Sequence, residues 1–181
     1  MPRDRQVVLM VSALIPSKRV SVGVEAVSRI PNAYLVVAGD GPLRQAVDAL
    51  AANLIPGRYK RLVVTPEKMV DLYRSANVFL HLSKVEPSSL ACVEAMACGL
   101  PIVAHDLPQL RNVVGDDEFL IDTENPAIIA EQIGHAGLTS SAGFKNRSMK
   151  AAAFSWTNIA TMYRNFLEEV VELSREQKKA K

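Results

Sequence analysis

Glu86-Pro-Ser-Ser-Leu90-Ala-Cys-Val-Glu94-Ala-Met-Ala-Cys-Gly99-Leu-Pro101-Ile-Val-Ala104 reads as a loop, a helix, a tight cap and a strand. Ser88 or Ser89 can act as N-cap, because a side-chain oxygen there satisfies a first-turn amide that has no partner inside the helix. Leu90, Val93, Ala97 and Leu100 recur at helical spacing and predict the buried stripe. Gly99 suits the left-handed residue that closes a helix, and Pro101 follows where the helix cannot continue. From Leu90 to Ala104 the only charged residue is Glu94. Such a carboxylate must face something polar, since burial without a partner costs roughly 2–7 kcal/mol even for a neutral polar group. Glu86 stands just before the helix. Between the two carboxylates lie the amides of a helix N-terminus, a natural anion site. Two carboxylates around an anion hole predict a ligand with both hydroxyls and phosphates.

Working outward, apolar runs of strand length alternate with helical patterns. Val7–Val11, Tyr34–Ala38, Arg61–Val64, Val78–Leu82, Ile102–Val103 and Phe119–Ile121 are the expected strands. Between them, Val20, Val24 and Val27 mark one helix face, and Leu43, Val47, Leu50 and Leu54 mark another, with Pro42 at the first helical position. Thr65 is placed to cap a helix from Pro66 to Ser75. Short helices are expected over Leu110–Val114, from Pro126 to about His135 and over Ser140–Ala153. Ser155 caps a long final one from Trp156 to about Lys178, with Trp156 as a packing anchor and Ile159, Met162, Phe166, Val170 and Leu173 along one side. Six strands alternating with helices predict an α/β fold: an open six-stranded parallel sheet with helices on both faces, plus a C-terminal helical segment. In such a sheet ligands sit beyond the carboxyl ends of the strands. Lys18, the Gly39-Asp-Gly41 turn, Thr65, Glu86 and the loop Ala104–Pro108 all map to that edge.

Composition excludes several classes. The chain has 181 residues, is 49% apolar and carries a net charge of +2. No basic run lies in its body, so nucleic acid is not indicated. No apolar run approaches the ~20 residues of a membrane span, and the N-terminus lacks a signal-peptide pattern. The abrupt start of the first strand is expected of a domain cut from something longer. Cys92 and Cys98 fall six residues apart on different helix faces, which reads as two small hydrophobes in a reducing cytosol rather than a disulfide or metal site.

Among residues that carry chemistry, Gly39-Asp-Gly41-Pro-Leu-Arg44 opens like a dinucleotide fingerprint but lacks the third glycine and follows the second strand. An NAD enzyme is therefore set aside, and the stretch reads as a tight turn, alone or beside a ligand. Lys18 is an exposed lysine or a point charge for a phosphate, and Arg19 can assist it. For the glutamates, position separates the roles. A carboxylate beside a sugar ring holds hydroxyls and favours an oxocarbenium-like transition state. One placed a turn or two into a helix can accept the hydroxyls of a ribose. His81 reads as a packed histidine, and His105 as a strand-end residue within reach of ligand.

The run Glu86, seven residues, Glu94, Ala-Met-Ala-Cys-Gly-Leu-Pro-Ile-Val-Ala resembles the donor-binding half of retaining glycosyltransferases of the two-Rossmann (GT-B) architecture, glycosyl transferase group 1. Val36-Val-Ala-Gly-Asp-Gly-Pro42, Asp71-Leu-Tyr-Arg-Ser-Ala-Asn-Val-Phe-Leu80 and Phe154-Ser-Trp156 resemble further segments of that family, in its order. The resemblance implies a Rossmann-like donor domain over residues 1–153 and a crossover helix over 154–181, with the N-terminal acceptor domain absent. It implies a transferase of polysaccharide or glycolipid biosynthesis that takes a nucleoside-diphosphate sugar as substrate, with no cofactor and no bound metal. Glu86 would be the catalytic group at the sugar and Glu94 would hold the ribose. Lys18, Arg19, Gly41, Thr65, Ser88, Ser89 and Leu90 would complete the donor contacts. The expected location is cytoplasmic, with peripheral membrane association only through the absent half, and the chain by itself is expected to be inactive.

Three positions depart from the family's usual pattern. Ala13 stands where an arginine is usual, Arg19 where glycine is common, and Pro87-Ser88-Ser89 where glycines and a phenylalanine usually follow the first glutamate. Ala13 and Glu86-Pro-Ser-Ser favour a second reading, a degenerate non-catalytic binding or scaffold module, which the intact Glu86, Glu94 and Lys18 oppose.

Overall fold

The computed structural model describes residues 4–86, 89–116, 118–139 and 143–179. The first apolar run forms β1 (Gln6–Val11), and a single 3-10 turn (Pro16–Lys18) leads into α1 (Val20–Ser28). Then follow β2 (Ala33–Ala38), α2 (Arg44–Leu54), β3 (Tyr59–Leu62), α3 (Pro66–Arg74) and β4 (Val78–His81). The opening stretch supplies α4 (Leu90–Ala97) and β5 (Ile102–His105). The chain closes with α5 (Pro108–Val114), β6 (Phe119–Ile121), α6 (Pro126–Thr139), α7 (Phe144–Ala152) and α8 (Trp156–Lys179).

All strand pairs are parallel, in the order β3-β2-β1-β4-β5-β6. Both sheet faces are covered, which explains the uninterrupted apolar strands. Alternate residues serve opposite cores. Val8, Met10, Leu35, Val37 and Leu80 pack with α1, α2 and α6, whereas Val7, Leu9, Val36, Phe79 and Ile102 pack with α3, α4, α5 and α7. A buried ion pair fastens α7 to this second layer. Arg147 Nε donates to Glu118 Oε1 at 2.7 Å, and the other carboxylate oxygen of Glu118 accepts the Ile102 amide at 2.8 Å.

Several sequence expectations shift. The buried face of α4 is Cys92, Ala95 and Met96, while Leu90 is 65% exposed and Ala97 is exposed. The apolar stripe misleads here because α4 is apolar nearly all round, so spacing cannot choose a face. The third strand lies two residues earlier than Arg61–Val64. It pairs with β2 alone, from Leu35↔Tyr59 to Ala38↔Leu62, and ends where β2 ends, leaving Val63 exposed. Pro42 precedes α2 by two residues, because Leu43 is held by its amide on the Leu14 carbonyl. Helix α6 runs past His135 to Thr139, and α7 starts at Phe144; Ser140 lies outside the described residues. Trp156 is not a packing anchor. It is 83% exposed at the start of α8, whose Met162, Phe166, Val170 and Leu173 are exposed as well.

The loops after β1 and β2 run side by side at the carboxyl edge. Ser12 donates to the Ala38 carbonyl at 3.0 Å, Leu14 to Asp40 at 2.9 Å, and Leu43 to Leu14 at 3.0 Å. Glycine permits this approach, since a Cβ on Gly39 would lie 1.9 Å from the Ser12 carbonyl oxygen. That neighbour is backbone and cannot rotate away. Gly39→Ala is therefore expected to destabilise the chain by at least ~1–3 kcal/mol in urea unfolding, and an unchanged midpoint would refute the close-approach argument.

Candidate functional site

The strand order reverses between β1 and β4: from β1 the sheet continues to β2 and β3, and from β4 to β5 and β6. The loops leaving these two strands part to opposite sides and open a crevice at their carboxyl ends. Lys18 closes the 3-10 turn after β1, and Glu86 ends the described part of the loop after β4. They meet across the crevice, with Lys18 Nζ 2.5 Å from Glu86 Oε2 and both side chains largely buried. His81, the last residue of β4, lies beneath. Its Nε2 is 3.3 Å from the same Glu86 oxygen but makes no hydrogen bond. The ring stacks on Phe79. Burial, reinforced by Lys18 and opposed by Glu86, holds the His81 ring below its ordinary pKa.

The other carboxylate has a different setting. Glu94 is exposed, one turn into α4, and accepts a hydrogen bond from the Tyr73 hydroxyl at 2.7 Å. Tyr73 is a core residue of α3, so it clamps one carboxylate oxygen against the protein body. Burial, with Glu94 adding to it, raises the Tyr73 hydroxyl above its ordinary pKa, so the hydroxyl remains a donor. The helix start between the two glutamates is capped as expected, with buried Ser89 accepting from the Cys92 amide at 3.3 Å. Leu90 is the first helical residue, and its backbone lies in the turn whose amides lack intrahelical partners. Ser88 lies outside the described residues.

Arg19 is held at the loop after β6 rather than at Glu86. Its guanidinium donates to Thr123 Oγ1 at 2.6 Å and to the Thr123 carbonyl at 2.8 Å, with Glu124 at 3.6 Å. Arg19 also adopts a left-handed backbone with φ of 53°, unusual for a residue with a side chain. Thr123 further contacts His105 Nδ1 at 3.1 Å, and Lys84 pairs with Glu124. This cluster ties the loop after β1 to the end of β5 and to the loops after β4 and β6. Gly41 sits in the loop after β2, against Leu14. Thr65 occupies the N-cap position of α3, without a side-chain capping bond, beyond β3 at the end of the sheet. The structure thus brings Lys18 and Glu86 into contact, sets Ser89, Leu90 and Glu94 beside them on α4, and strings Gly41 and Thr65 along the same edge. Tyr73 and the proximity of His81 to Glu86 had no signal in the sequence, because both arise from contacts between separate elements. Among the described residues no cluster of His, Cys, Asp and Glu is arranged to hold a metal ion.

The family model described as "Glycosyl transferases group 1" matches residues 1–141. The chain belongs to this family. A D-inositol 3-phosphate glycosyltransferase of Mycobacteroides abscessus is 31% identical over 170 residues, which is 87% of this chain and 38% of that protein. Among solved structures, sucrose-phosphate synthase from Thermosynechococcus elongatus superposes with a TM-score of 0.84 at 24% identity, covering 96% of this chain and 47% of that one. Anabaena Alr3699/HepE in complex with UDP-glucose superposes with a TM-score of 0.78 at 21% identity, covering 93% and 49%. The glycosyltransferase-family fold expected from the sequence is therefore present, and the chain spans less than half the length of these relatives. No helix among the described residues is long and apolar enough to cross a membrane.

The depressed His81 ring has a consequence for stability. A histidine whose folded pKa lies below its unfolded value of about 6.5 leaves the unfolded state binding more protons, so stability falls as pH drops below that value. His105 is held low in the same direction by burial and by Lys84 and Arg19. Urea unfolding is expected to give stability that declines as pH is lowered from about 7.5 toward about 5.5. His81→Gln should flatten part of that decline, and an identical slope in the variant would contradict the assignment.

Proposed function

We propose that this chain is the donor-binding half of a glycosyltransferase that moves a sugar from a nucleoside diphosphate to an acceptor with retention of configuration. The observation that carries this reading is the meeting of Lys18 and Glu86 at the strand-order reversal, just before α4, with Glu94 one turn into that helix. A sugar nucleotide needs charge neutralisation at its diphosphate, polar groups at the sugar and an acceptor for ribose hydroxyls. Lys18 and the first-turn amides of α4 meet the first need without a metal, since cationic side chains and a helix N-terminus both stabilise phosphate charge. Glu86 serves the sugar and supports positive charge developing at its anomeric carbon. Glu94, held by Tyr73, takes the ribose. From β4 to β3 the edge spans three strand spacings, ~14 Å, which accommodates an extended nucleotide with its base toward Gly41 and Thr65.

In this reading residues 1–153 form the donor domain, and the segment 154–181, which contains α8, crosses to a separate acceptor half. The acceptor half then accounts for the remaining length of the relatives and for the apolar side of α8, and any membrane contact runs through it. A cytosolic location fits the free Cys92 and Cys98. The chain alone binds donor weakly and does not complete transfer.

Calorimetric or NMR titration with UDP, GDP, ADP and their sugars tests this assignment. Binding by one nucleotide series is expected, with affinity lost in Glu94→Ala. Absence of binding by all of them at millimolar concentration would overturn the donor-site reading.

A further inference from the structure

His81 Nε2 is the one fully buried side-chain nitrogen or oxygen among the described residues without a hydrogen bond. Its side chain is 6% exposed, and it lies against Glu86, whose side chain is 11% exposed. A buried imidazole nitrogen left idle costs free energy unless another state of the molecule uses it. In the structure described here Lys18 already holds Glu86 Oε2. A diphosphate arriving in the crevice competes for that ammonium. Once Lys18 leaves, Glu86 would be a nearly buried carboxylate without a cation, an expensive arrangement.

We propose that His81 is a positioning residue for Glu86, taking up a proton and replacing Lys18 as its cationic partner when a sugar nucleotide draws Lys18 onto the diphosphate. This rests on the donor-site reading. The proton comes from the buffer to the imidazole, both ring nitrogens then carry hydrogen, and a small ring rotation turns Nε2–H onto Glu86 Oε2. No other bond changes. The charges that act on His81 are Glu86 and Lys18, which push its ring in opposite directions. Around them, β5 offers Ala104 in register with His81, and α4 offers Cys92, whose thiol burial pushes up to about 12 so that it stays neutral. Drawing the lysine away therefore leaves Glu86 as the dominant charge on the ring. The result is a carboxylate kept in place at the sugar while its former partner neutralises the leaving group.

Proton uptake on binding is a readout that a purely structural histidine would not move. Calorimetry of the 181-residue chain with UDP-glucose, or with the GDP- or ADP-sugar that binds in its place, is run near neutral pH in buffers of different ionisation enthalpy. The diphosphate diester of a sugar nucleotide does not titrate there, so uptake reports on the protein. The apparent binding enthalpy is expected to vary with the buffer, with a slope of up to about one proton taken up, and affinity to rise by up to about tenfold per unit fall in pH between the two ring pKa values. In His81→Gln the buffer dependence disappears. If that variant does not fold or bind, NMR titration of the wild-type His81 ring decides: its pKa is higher with sugar nucleotide than without. Binding with no proton uptake, uptake that survives in His81→Gln, or an unmoved ring pKa overturns this proposal alone. Failure of every sugar nucleotide to bind overturns it together with the donor site.

Discussion

The ion pair between Lys18 and Glu86 lies over the seam where the parallel sheet changes direction. Everything else at the carboxyl edge is arranged around this contact. The 3-10 turn carries Lys18 inward from β1, and the loop after β4, shaped by the bond from Ser83 Oγ to the Val85 carbonyl at 3.0 Å, carries Glu86 to meet it. An ion pair this close and this sheltered does not persist by attraction alone, because both ions give up hydration to form it. The surrounding protein must hold them in place. The same sheltering makes the pair responsive to any anion that enters, since a charge added there is poorly screened.

Rigidity around the crevice comes from contacts that cross between elements. Gly39 and Gly41 let the loops after β1 and β2 run in hydrogen-bonding contact, so Ser12 and Leu14, which lead into the Lys18 turn, rest on the neighbouring backbone. Arg19 and Lys84 both reach Glu124, which ties the outer loops on the far side. Tyr73, rooted in the core beneath α3, fixes Glu94 in one orientation. The carboxylates thereby receive opposite treatments. Glu86 is enclosed and paired with a cation, whereas Glu94 is open to solvent and held by a neutral donor.

How far the sequence could be read differs from element to element. The strands were legible because doubly covered parallel strands are continuous apolar runs, and the helix punctuation at Gly99 and Ser155 was legible because its chemistry is local: Gly99 has φ of 76°, and Ser155 Oγ accepts from Asn158 at 3.3 Å. The end of β3 was not legible, because an edge strand stops where its partner stops. Nor was the buried face of α4, where apolar residues surround the helix, or the exposure of Trp156, whose apolar character says nothing of whether a partner element is at hand.

For the site, the sequence alone determined the residue types and their edge of the sheet. Glu86 and Glu94 stand out as carboxylates flanking a helix start, and strand–helix alternation sends Lys18, Gly41 and Thr65 to the same rim. Those are properties of spacing and connectivity, which a linear chain carries. Only the tertiary structure decided which of these groups touch. Lys18 pairs with Glu86 across 68 positions of sequence, Arg19 is drawn to Thr123 across 104, and His81 comes to rest beneath Glu86 with an idle nitrogen. The reason is physical. Contact between side chains on different strands depends on the order in which the sheet is assembled and on the packing that aims each loop, and neither is written in the neighbourhood of the residues themselves.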